Sequence, residues 1–131
     1  MTIKIRMQLI ALSLVSQFSS GSLSADEALS ADAIKNLLTN NTMNCRNLEK
    51  NQEFSNYYRD NGTVTKLTAA GETQQGTWHV SEDGKHCQDW GKEAGDCCFP
   101  IIDKGNGIYQ KFEDGEPRSE FTVTQGNPNN L

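Results

Sequence analysis

The sequence predicts a mainly β protein: an N-terminal helix followed by a small antiparallel up-and-down barrel or curved sheet of seven to eight strands. Two observations predict it. Glycines at 62, 71, 84, 95, 105 and 115 recur about every ten residues between short strand-like runs, the spacing of an antiparallel meander. Four cysteines sit in a chain of 131 residues that opens like an exported protein, and small exported domains are commonly stapled by disulfides. So many short strands in one small domain tend to close, because closure removes exposed edges. A flat open sheet with the helix on one face is the alternative.

The first 25 residues follow the three-part pattern of a secretory signal peptide. Lys4 and Arg6 give a positive start, residues 9–18 an apolar core, and residues 19–25 a small-residue region ending at Ala25. The apolar run is about half of the ~20 residues a membrane span needs. Residues 1–25 are therefore expected to be removed, leaving residues 26–131 as a single disulfide-stapled β-domain. That domain carries ten basic residues against seventeen acidic ones, a net charge of −7. An acidic surface argues against nucleic acid and anionic membrane as partners. It suits a soluble periplasmic or secreted protein.

Residues 26–38 read as a helix. Ser30 can cap it, Asp32 falls in the first turn, and Leu29, Ala33, Ile34, Leu37 and Leu38 follow helical spacing on one stripe. Core packing is the commoner use of such a stripe; partner binding is the sharper one. Strands are expected at 42–46, 53–58, 63–67, 73–80, 85–90, 97–103, 108–112 and 118–124, with turns between them carrying Gly, Asn and Asp. Residues 125–131 form a polar tail.

The stretch 77–103 holds three of the four cysteines, both histidines and both tryptophans. Ser81-Glu82-Asp83-Gly84 is a turn signal. Pairing Val80 with Lys85 across it sets His79 opposite His86 and Trp78 opposite Cys87. Alternation along a strand then points Gly76, Trp78, Val80 and Cys87 inward and both histidines outward. Cys87 lies opposite Cys98 or, one register step away, opposite Cys97. The reading adopted is Cys87–Cys98 with Trp78 packed on the bridge, and Cys45–Cys97 as a second bridge. A vicinal Cys97–Cys98 bridge is sterically poor. A thiolate metal site from His86, Cys87, Cys97 and Cys98 lacks the usual two-to-four-residue ligand gaps.

Several short motifs occur in order: Asn41-Thr42, Tyr57-Tyr58, Asp60-Asn61-Gly62, Gly76-Thr77-Trp78-His79-Val80, Asp83-Gly84-Lys85-His86-Cys87, Cys98, and Gly105-Asn106-Gly107-Ile108-Tyr109. With them the chain, over about residues 37–127, resembles a family of small exported proteobacterial proteins classed as a domain of unknown function. The resemblance implies a cysteine in the strand after the Asp-Gly turn and another in the next strand, here Cys87 and Cys98. Cys45 and Cys97 depart from that pattern. The family brings no activity and no catalytic residues.

No nucleophile motif, phosphate-cradling glycine loop or calcium loop appears, so the expectation is a non-enzymatic protein with no cofactor. The acidic turns Glu82-Asp83, Asp103 and Glu113-Asp114 read as solvated hairpin tips. His79 and His86, facing each other, are a two-ligand metal candidate, short of the three or four ligands zinc sites use. Tyr57, Tyr58, Trp78, Phe99 and Tyr109 are candidates for ligand or partner contact. The function expected first is a protein-binding or shielding module of the cell envelope, meeting a basic partner through acidic hairpin tips. The alternative is a lipocalin-like carrier of a small hydrophobic ligand.

Overall fold

The computed structural model describes residues 27–91 and 96–131. The expected signal peptide and the turn at Gly95 lie outside the described residues. The order of elements is β1 (Glu27–Ala28), α1 (Ala31–Leu38), β2 (Asn41–Asn47), β3 (Gln52–Tyr58), β4 (Thr63–Thr68), β5 (Thr73–Val80), β6 (His86–Asp89), β7 (Cys97–Phe99), β8 (Ile101–Gly105), β9 (Ile108–Glu113) and β10 (Glu116–Gln125). All strand pairs are antiparallel and belong to one ten-stranded sheet, in the order β1-β8-β9-β10-β2-β3-β4-β5-β6-β7. The chain is mainly β, as its glycine spacing predicts.

The sheet curls because β7 and β8 are two halves of one run of chain, broken at Pro100. The first half pairs with β6 and the second with β9. Proline has no N–H to give a ladder, so it falls where the run changes partner. Its carbonyl still accepts from Phe112 N at 3.2 Å. One segment thus supplies the edge strand β7 and, at the opposite side of the sheet, the strand next to the edge, β8. The edge of β8 that β6 leaves bare is covered by β1, through Glu27↔Asp103 and Ala28↔Ile102. Residues 27–30 are therefore not helical, which corrects the expected start at residue 26. The backbone there serves an exposed sheet edge instead, and Leu29 N continues the pairing to Ile101 O at 2.9 Å.

The helix begins where its cap predicts. Ser30 Oγ accepts from Ala33 N at 3.1 Å, satisfying one of the donors a helix start leaves open. Ile34 and Leu38 are fully buried, and α1 packs on β2 and β5. They join Met43, Cys45, Tyr58, Val64, Trp78, Ile101 and Phe121 in one core. The stripe is used for core packing.

The meander places turns alternately at two ends. The helix end carries turns 59–62, 81–85 and 106–107; the far end carries 48–51, 69–72 and 114–115. Asn106 and Gly107, and Asp114 and Gly115, have φ of 58°, 78°, 54° and 79°, the backbone of tight two-residue hairpins. Among the described residues no helix is long and apolar enough to cross a membrane.

Candidate functional site

The β5–β6 register differs from the expected one by a single residue. Val80 pairs with His86, His79 with Cys87, and Trp78 with Gln88. The connecting loop takes five residues rather than four, because Lys85 closes it: Ser81 N donates to Lys85 O at 2.9 Å and Lys85 N to Ser81 Oγ at 3.0 Å. One step of register exchanges every side chain between the two faces. His86 turns inward and is fully buried, whereas His79 stays exposed. The paired-histidine metal candidate is thereby corrected: the two rings lie on opposite faces. Among the described residues no three His, Cys, Asp or Glu side chains gather as a metal set.

Cys87 and Cys98 are bonded, in direct cross-strand register. Trp78 does not pack on this bridge, since it shares the inner face with Gln88. Cys45 is a buried free thiol and Cys97 an exposed one, which corrects the expected second bridge. Between β2 and the β7–β8 run, the ladder interposes β3 to β6 on one side and β10 with β9 on the other. A disulfide needs its two Cα atoms within ~7 Å of each other.

The inner face of the sheet is polar at its middle. Asn56 Nδ2 donates to Tyr58 Oη at 3.0 Å and to Gln88 Oε1 at 3.3 Å, and Tyr58 Oη donates to Gln88 Oε1 at 2.6 Å. Tyr58 meets Trp78 and His86 edge-on, with centroids 5.1 and 5.2 Å apart. Trp78 Nε1 donates to Arg59 O at 2.8 Å. Burial, and then the charges of Lys111 and His79, hold the His86 imidazole well below its ordinary pKa. Among the described residues neither of its ring nitrogens has a hydrogen-bond partner, and neither has Asn56 Oδ1.

Toward the far end the inner face turns cationic. Lys111 is 5 % exposed. It pairs with Ile101 on one side and Ser119 on the other. Burial pushes its ammonium pKa down. Burial likewise pushes the Cys45 thiol up, opposed by the Lys111 charge and a Ser119 hydrogen bond. Lys66 lies over two rings, 4.8 Å from the Phe54 centroid and 4.6 Å from that of Trp90. Trp90 in turn covers Gly76, where a Cβ would stand 2.7 Å from the indole ring. A cavity of about 700 Å³ at this end is lined by Asn47, Gln52, Phe54, Lys66 and Thr68, with Lys50, Glu53 and Glu72 on its rim.

The expected contact residues do not form one site. Tyr58 and Trp78 are buried together. Tyr109 stacks on Phe121 at 5.4 Å. Phe99 is half-buried opposite His86. Tyr57 faces outward under Arg59, 5.2 Å from its ring centroid. The acidic turns also separate: Glu82-Asp83 and Asp103 stand at the helix end and Glu113-Asp114 at the far end. Lys66, Lys111, Asn56 and Gln88 were missed. Their signal was alternation alone, since Lys111 shares a face with Tyr109, and Lys66 with Val64. No family model matches the chain, no curated protein matches its sequence, and no solved structure matches its fold.

Proposed function

We propose that the protein is an exported, non-enzymatic binding domain that engages a basic partner protein of the cell envelope through its far-end loops. One observation carries this reading. Glu49, Glu72 and Asp114 on the three described turns of that end, and Glu53, Glu113 and Glu116 at the strand ends beside them, are all exposed. The same turns carry Lys50, and Arg118 lies 3.6 Å from Glu113. Carboxylates ringing one end of a curled sheet steer a basic surface toward it and make association salt-sensitive. Export is supported by the signal-peptide pattern and by the Cys87–Cys98 disulfide. The resemblance to small exported proteobacterial proteins belongs to the same proposal.

The test is affinity capture from periplasmic extract, using wild type and an E113K/D114K/E116K variant as baits. The expected result is a basic protein retained by wild type at low salt, released at high salt, and absent from the variant. Identical capture by both baits would overturn the reading.

A second reading, a carrier of a small hydrophobic ligand, is favoured by the far-end cavity beside Phe54. Its volume lies within the ~300–1,000 Å³ of ordinary ligand pockets.

A further inference from the structure

The inner face carries a charge that no described residue balances. Among the described residues no carboxylate is buried and none forms an ion pair with Lys111. This holds in a chain with seventeen acidic residues against twelve basic ones. A buried ion without a partner is costly, by several kcal/mol. Buried polar atoms without hydrogen bonds cost ~1–3 kcal/mol each, and among the described residues the inner-face side chains His86 and Asn56 carry such atoms, as does Arg118 at its Nε. The ladder brings Lys111, His86 and Asn56 round one interior. Lys111 pairs with Ile101, which lies two residues from Phe99 on the same face, and Phe99 pairs with His86. On its other side Lys111 pairs with Ser119, two residues from Phe121, the partner of Cys45. Cys45 and Asn56 then pair with Phe54 and Lys66, which line the far-end cavity.

We propose that the far end binds a small amphiphile bearing a single carboxylate. Its apolar part lies against Phe54 in the cavity, and its carboxylate is directed inward to Lys111, which is buried behind the cavity lining and not part of it. The inference rests on the carrier reading and adds the chemical class. A monoanion neutralises the buried Lys111 ammonium; a neutral ligand leaves it uncompensated, and a dianion over-compensates it. The rim carboxylates oppose entry only weakly. They are exposed and screened over ~8 Å at physiological salt, whereas a buried pair is screened far less.

The experiment titrates the full, disulfide-bonded protein with dodecanoate, dodecanol and dodecyltrimethylammonium below their micelle-forming concentrations, following tryptophan fluorescence. Dodecanoate is expected to bind at least tenfold more tightly than either comparison ligand. Lys111→Met is expected to abolish that preference, keep the dodecanol affinity, and keep or raise the Tm, since an apolar isostere replaces an unpaired charge. Equal affinity for dodecanoate and dodecanol in the wild type would overturn the anion site while leaving an apolar carrier. A preference that survives Lys111→Met would overturn the assignment to that residue. Binding of none of the three would overturn both the inference and the carrier reading.

Discussion

Burial, with the nearby charges of Lys111 and His79, lowers the pKa of His86 in the folded protein, whereas the unfolded chain protonates near the ordinary value of ~6.5. A basic group whose folded pKa is depressed costs nothing above its unfolded pKa. Below it the unfolded state binds the extra proton, and stability falls by up to ~1.4 kcal/mol per pH unit. The urea midpoint is therefore expected to drop between pH 6.5 and 5 in wild type, and to drop much less in His86→Leu. Equal slopes would show that the imidazole is protonated in the folded state. The orientation of His86 is not legible in the sequence. Histidine in an alternating strand was legible, but which face it takes depends on whether Lys85 belongs to the strand or the loop. That choice is made by the Ser81–Lys85 hydrogen bonds, a pairing no composition rule supplies.

Strands are the level at which the sequence reads best. β5 spans Thr73–Val80 as expected, and β4, β9 and β10 extend the expected runs by one to three residues. Hairpin glycines with positive φ at 62, 71, 84, 105 and 115 explain why: each turn needs a backbone that other residues adopt reluctantly. Two features were not legible. Pro100 splits one strand between two partners, a consequence of closing the sheet. Residues 27–28 form a strand only because that split leaves an edge of β8 bare. The helix has a simple dependence on packing. Leu38 is fully buried against the core, so Leu38→Ala is expected to cost ~2–5 kcal/mol by denaturant unfolding. A loss under ~1 kcal/mol would mean the helix does not seal this end.

The molecule as a whole is a curled sheet with two unlike ends. The helix end is closed by α1. The far end carries exposed carboxylates above an inner face that holds Lys66 and Lys111. Acidic hairpin tips were legible from sequence, but their division between ends follows from the meander, and the buried cation from the register. The far end is the functional face in the proposed function. Amide ¹H–¹⁵N spectra of the disulfide-bonded protein, recorded before and after adding the captured partner, test it most directly. Shifts are expected in the turns at 48–51, 69–72 and 114–115, with α1 and the turn at 81–85 unchanged. Shifts concentrated on α1 and residues 81–85 would contradict the account and move the binding face to the helix end.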